Sequence, residues 1–189
     1  MANKRVQAKK NTAFDHELKP LVEAVASRRL ILFVGGGVSQ NLGLPDFKTL
    51  VDYMARDMGF AQSTFGVAEY SVIAEAYMVK HAQLGALRSW MDTTWHPGTI
   101  QIEKSELHNL IVDLDFPVIY TTNYDRWLEK AFEARGRPFH KITNAADLTV
   151  PSNGGTEIIK FHGDFQDDDS LVLTESSYFT PLHNGEIDI

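Results

Sequence analysis

Three short segments of this chain carry the residue types that could do chemistry, and each stands directly behind an apolar run. Thr121-Thr122-Asn123-Tyr124-Asp125 follows the apolar residues 117–120, and His162-Gly163-Asp164 follows Glu157-Ile158-Ile159-Lys160-Phe161. Gly35-Gly36-Gly37-Val38-Ser39 follows the five apolar residues 30–34. An imidazole is the side chain best matched to proton transfer near neutral pH, so His162 is a candidate general base. Asn123 and Asp125 can bond a ligand's polar atoms, and Asp125, just ahead of Trp127 and Leu128, can equally cap the helix that follows. Consecutive glycines either form a tight turn or leave bare backbone against which something flat or charged can lie.

The surrounding pattern says what must hold these segments. Residues 30–34 have the uninterrupted apolar character of a strand buried on both faces. Further strands are expected at 117–121, 139–142, 157–161 and, finally, 171–174. Helical spacing places Phe14, Leu18, Leu21, Val22 and Val25 on one face over 13–27, and Phe47, Leu50, Val51 and Met54 on another after a start at Pro45 and Asp46. Leu107, Leu110, Ile111 and Leu114 mark a third helix. Trp127, Leu128, Ala131 and Phe132 mark a fourth, which Gly136 can end. Residues 60–100 read as a mainly helical insertion, with Tyr70, Ile73, Ala74, Tyr77 and Met78 in one helix and Leu84, Leu87 and Met91 in another, broken by His96-Pro97-Gly98. Strands alternating with helices predict an α/β fold: a Rossmann-like parallel sheet with helices on both faces. Ligands of such sheets bind beyond the carboxyl ends of the strands, where all three polar segments would converge.

Composition removes several alternatives. The 189 residues suit one domain behind a solvated basic tail at 1–12, which lacks the apolar core of a secretory signal. A net charge of −7 disfavours wholesale binding to a nucleic-acid backbone. The absence of cysteine excludes disulfides and a cysteine-ligated zinc site and fits a cytoplasmic setting. No apolar run approaches the ~20 residues that span a bilayer. The seven histidines show no zinc-binding spacing, and Ser39 sits in no G-x-S-x-G elbow. A G-x-G-x-x-G fingerprint fails at Gln40, and the acidic ribose partner would be Asp57, read as surface on a helix. Asp164, Asp167, Asp168 and Asp169 read as a solvated acidic turn.

Taken in order, GGGVSQNLGLPDF at 35–47, TTNYD at 121–125 and KFHGD at 160–164 resemble the three core motifs of the sirtuin-like (SIR2-like) superfamily. With TESSYF at 174–179 they are more similar to its bacterial effector group than to the classical deacylases. The resemblance spans residues 28 to about 180. It implies that Gly35, Gly36, Gly37 and Ser39 cradle the NAD phosphates and adjoining ribose. Pro45, Asp46 and Phe47 would lie in a mobile loop over the nicotinamide ribose, with Thr122 also at the dinucleotide. Asn123 would contact that ribose or position a water, Asp125 would stand near the nicotinamide amide, and His162 would match the catalytic histidine.

Two departures stand out. Gly36 replaces the usual alanine, and the chain reaches Ile189 without the further strand, ending in Gly-Tyr-Ser or Gly-Thr-Ser, that holds the adenosine side in the family. A longer protein with an additional C-terminal domain, or a natural short form, is therefore expected. The group's effectors are often multimeric, which makes a homo-oligomer a further expectation. Classical deacylases carry a four-cysteine zinc module that this chain lacks, so the implied activity is hydrolysis of NAD to nicotinamide and ADP-ribose, in a bacterial defence or stress system. The alternatives are a non-catalytic module that binds NAD or ADP-ribose and an NAD-dependent protein deacylase.

Overall fold

The structure, a computed structural model, describes residues 12–60, 65–82, 85–150 and 154–178. The expected tail lies outside them except for Thr12, as do the side chain of Phe14, Leu84, Phe179 and everything beyond.

Among the described residues, four strands form one sheet: β1 (Leu32–Val34), β2 (Val118–Thr121), β3 (Phe139–Ile142) and β4 (Thr156–Lys160), in the order β1-β2-β4-β3. All three pairings are parallel. The register puts Val34 beside Thr121 and Thr121 beside Lys160, so β1, β2 and β4 end level with one another. That alignment brings the three polar segments to one rim.

Around the sheet run α1 (Thr12–Ala26), α2 (Gly36–Gln40), α3 (Phe47–Asp57), α4 (Tyr70–His81), α5 (Gly85–Trp95), α6 (Glu106–Asp113) and α7 (Trp127–Ala134). Asp46 starts α3 by accepting a hydrogen bond from the Thr49 amide at 2.9 Å. Gly136, at φ +61°, ends the α7 segment in the left-handed conformation that glycine adopts most easily. Two cores result. One unites β1, β2 and β4 with α6 and α7 around Val34, Ile111, Ile119, Trp127, Phe132 and Ile158. The other joins α3, α4 and α5 with the chain after β4, around Leu50, Met54, Tyr77, Leu87, Met91, Phe165 and Leu173. Helices α4 and α5 both fall within residues 60–100.

Four expectations need correction. β1 is an edge strand and is not buried on both faces: Phe33 is 66% exposed and stacks with Tyr120 and Phe161 on one sheet surface. Residues 171–174 form no strand, because they join no ladder; Leu171 and Leu173 are buried while the Val172 amide donates to the His162 carbonyl at 2.9 Å. On α6 the buried face is His108, Ile111 and Val112, which turns Leu110 outward. On α1, Leu21 and Val22 are exposed although they share the apolar stripe. Periodicity identifies an apolar face but not whether anything covers it. Among the described residues, no helix is long and apolar enough to cross a membrane.

Candidate active site

The three consecutive glycines do not form a turn that needs glycine. Gly35, Gly36 and Gly37 are absent from the residues with positive φ, and a Cβ added to Gly36 or Gly37 meets nothing within 4 Å. Neither backbone strain nor packing within the chain requires them, so their effect is to leave the backbone after β1 open. Gly163 differs: at φ +86°, an added Cβ would run into the Ser170 carbonyl. Its close approach is to its own chain.

A cavity of about 230 Å³ lies at the rim where the three strands end. Gly36 and Ser39 from the first segment border it, with Pro45, Asp46 and Phe47 from the start of α3. Thr122, Asn123 and Asp125 follow β2, and His162 follows β4. Gly35 and Gly37 are not among the residues that line it. Leu44, Trp95, Tyr124 and Tyr178 also line it and had been given no role. Tyr124 and Tyr178 sit inside quoted motifs, but Trp95 ends α5 and reaches the cavity only through tertiary packing.

A hydrogen-bonded chain links the segments. Asn123 Nδ2 donates to Ser39 Oγ at 2.8 Å and to the Gly35 carbonyl at 3.2 Å. Ser39 Oγ donates to Asp125 Oδ2 at 2.5 Å. Because a carboxylate only accepts, the Ser39 hydrogen must go to Asp125 and its oxygen must accept from Asn123. This fixes the orientation of the Asn123 amide. Both amide hydrogens are thereby used, which leaves Asn123 Oδ1 as an acceptor for the cavity. Asp125 Oδ1 meanwhile accepts from the Trp127 amide at 3.1 Å, so the same carboxylate bonds the first residue of α7 and anchors Ser39.

Below this chain, Lys160, the last residue of β4, is 2% exposed. Its Nζ donates to the carbonyls of Tyr124 at 3.2 Å and Asp125 at 2.7 Å and to Glu129 Oε1 at 3.0 Å. It also forms an ion pair with Asp164 Oδ2 at 2.9 Å. A single ammonium thus ties the segment after β2, helix α7 and the segment after β4 together. Asp164 is fully buried and also pairs with Lys141 at 3.1 Å, so the expected solvated acidic turn does not include it. Burial pushes the Asp164 carboxyl up, but Lys160, the Gln166 amide and Lys141 outweigh it and hold it below the usual range. For Glu129 burial wins over Lys160, and its carboxyl is raised.

Among the described residues, the walls of the cavity contain two carboxylates, Asp46 and Asp125, four aromatic rings and no lysine or arginine. Thr49 holds Asp46 below the ordinary carboxylate range through its hydroxyl and amide. Trp95 and Tyr124 lie nearly parallel, 7° apart with centroids at 6.0 Å, and Tyr178 meets the His162 ring edge-on at 5.3 Å. Burial lowers the His162 pKa, favouring the neutral imidazole that can accept a proton. The cavity therefore suits a flat, positively charged group flanked by hydroxyls.

Comparison with known proteins agrees with the motifs. Residues 117–188, which contain two of the three segments, match the SIR2-like domain family. The chain is 26% identical over 162 residues to an NAD(+) hydrolase ThsA of Enterococcus faecium, an alignment covering 85% of this chain and 33% of that protein. It is 25% identical to defense-associated sirtuin 2 of Bacillus subtilis, covering 85% of this chain and 16% of that one. An Acinetobacter baumannii ThsA is 23% identical, with coverage of 90% and 36%. The chain thus spans about a third or less of these relatives' lengths. In its parallel α/β sheet, its ordered motifs at three level strand ends and these alignments, the chain is similar to the SIR2-like domain family and to bacterial proteins named NAD(+) hydrolase and defense-associated sirtuin.

Proposed function

We propose that this chain is the NAD-cleaving domain of a bacterial defence or stress protein and hydrolyses NAD to nicotinamide and ADP-ribose. The carrying observation is the aromatic, doubly acidic cavity, without a lysine or arginine among its described residues, built from Asn123, Asp125 and His162 at adjacent strand ends. The nicotinamide ring of NAD is flat and positively charged, and breaking its bond to the ribose passes through an oxocarbenium-like centre, as in glycoside hydrolysis. Carboxylates and ring faces stabilise both positive charges.

At about 230 Å³ the cavity is below the ~300–1,000 Å³ of sites that enclose a whole ligand, so it takes the nicotinamide riboside end. The open backbone at Gly35, Gly36 and Gly37, beside Thr122, is left for the phosphates and adjoining ribose. In the reaction the ribose C1′–N bond breaks and its electron pair leaves with neutral nicotinamide. A water oxygen then bonds C1′, and the proton released by that water passes through His162 to solvent. Asn123 Oδ1 orients the water or a ribose hydroxyl, Asp125 contacts the departing amide, and Pro45, Asp46 and Phe47 close over the ribose. The helices between residues 60 and 100 act as a cap that supplies Trp95.

The test is nicotinamide release from NAD by the purified chain beside Asn123→Ala and His162→Ala. Release that both substitutions abolish supports the hydrolase. Absence of release with intact NAD recovered from a tight complex would leave a binding module instead.

A further inference from the structure

Behind the wall that closes the front cavity lies a second cleft of about 330 Å³, lined by Arg88, Ser89, Asp92, His96, Arg126, Lys130, Phe165 and Gln166. Its character is the reverse of the front: three cations and one carboxylate. The two cavities share a partition of adjacent residues. Trp95 and Asp125 face the front, while their chain neighbours His96 and Arg126 face the back.

The partition holds two buried donors without acceptors. The Arg126 amide donates to His96 Nε2 at 3.2 Å, which makes Nε2 the acceptor and puts the proton of the neutral ring on Nδ1. The His96 side chain is only 8% exposed, yet Nδ1 has no hydrogen-bond partner; the Asp92 carboxylate stands 3.7 Å away. Arg126 Nε is likewise buried and unpartnered, and its Nη2 is 3.9 Å from Glu133. Lys130 adds an ammonium over the Trp127 ring at 4.2 Å. Arg88 lies over Phe165 at 4.4 Å and pairs with Asp168. Buried donors are ordinarily satisfied, and a cluster of N–H groups on cationic side chains is completed by an oxygen-rich anion.

We propose that this rear cleft is a second binding site, for a small phosphate-bearing anion held by Arg126, Lys130 and the His96 Nδ1–H. Ser89 and Gln166 supply neutral polar contacts at the rim, and Phe165 supplies the floor. The site is separate from the dinucleotide cavity and does not depend on what that cavity does. Arg126 and His96, which it would engage, are each one residue along the chain from a residue of the front wall.

The test follows the histidine ring signals by NMR while inorganic pyrophosphate and, in a separate arm, ADP are added at constant ionic strength. His96→Asn assigns the His96 signals. Both probes shift those signals in the wild-type chain. Arg126→Gln/Lys130→Gln weakens binding about tenfold or more, and Asn123→Ala in the front cavity leaves it within about twofold. Equal affinity for the two probes assigns recognition to the phosphates alone, whereas tighter ADP binding assigns it to a nucleotide. If the double variant fails to fold, Lys130→Gln alone must weaken binding severalfold. The proposal is overturned if neither probe moves the His96 signals up to about 1 mM, or if Asn123→Ala abolishes the shifts while the cation variants keep them.

Discussion

Asn123 donates through Nδ2 to Ser39 Oγ at 2.8 Å, joining residues 84 positions apart in the chain. The bond makes the segment after β1 and the segment after β2 one unit, with Asp125 as its fixed anchor. It also dictates which end of the Asn123 amide the cavity sees.

Substitutions at this pair should separate chemistry from structure. Asn123→Asp replaces the donating amide with a carboxylate beside Asp125, and NAD hydrolysis should fall at least ~100-fold. Ser39→Ala breaks the relay but leaves Asn123 bonded to Gly35, so a smaller loss, about tenfold, is expected in kcat/KM. Steady-state nicotinamide release measures both. A larger loss in Ser39→Ala than in Asn123→Asp would show that the serine, not the asparagine, meets the substrate.

His162 sets the pH dependence. Burial lowers its pKa below 6.5, so the neutral base predominates at pH 7 and protonation removes it only on the acid side. The profile of kcat/KM should be flat from about pH 7 upward and fall below 6.5. His162→Ala should reduce the rate about 10²–10⁴-fold and abolish that acid limb. An acid limb centred between pH 7 and 8 would point to a different base.

Lys160 is predicted to matter first for stability. Lys160→Met strands the buried Glu129 carboxylate and leaves Asp164 only Lys141 as an ion-pair partner, at a cost of about 3–5 kcal/mol. For a domain of this size that lowers Tm by roughly 10 °C, readable by calorimetry. A fall of only a degree or two would mean that the carboxylates are neutral or solvated.

Gly163→Ala forces a side chain onto φ +86° and into the Ser170 carbonyl. The strain should cost at least ~1–3 kcal/mol and displace His162, its neighbour. Gly36→Ala, which meets nothing within 4 Å, should leave unfolding unchanged. Denaturant midpoints of the two variants test the contrast directly.

His96 should make the fold acid-sensitive. Burial drives its pKa from 6.5 down to about 4, against the pull of Asp125 and Asp92. Between those values the unfolded chain binds the proton and the folded chain does not, so stability rises with pH through that window and is lost as pH falls from about 6.5 toward 4. The loss attributable to this residue is on the order of 3 kcal/mol. His96→Gln should flatten the urea-unfolding slope against pH in that interval; an unchanged slope would contradict it.

Much of this protein is written locally. The apolar runs ending in GGGVS, TTNYD and KFHGD follow from strand and turn chemistry, and a parallel sheet follows from the α/β alternation, while the strand order and level ends come from the tertiary structure. Given that the three strands are parallel neighbours, this brings Ser39, Asn123, Asp125 and His162 to one rim. The boundaries of α3 and α7 were legible for the same reason, since Asp46 and Gly136 act within a few residues of themselves. What covers a face is not local. Phe33 and Leu110 have the hydrophobicity of core residues, but their burial depends on which element packs over them, and residues 171–174 have strand character without a strand to pair with. Trp95 reaches the cavity only because α5 docks against α3 and the chain after β4. Lys160 stood in a quoted motif as an ordinary charged residue, and only the tertiary structure shows that the carbonyls of Tyr124 and Asp125, with Glu129 and Asp164, surround its ammonium. Local sequence determined which groups end the strands. Long-range packing decided what lies behind them, because a buried charge takes its meaning from partners that the fold gathers from distant parts of the chain.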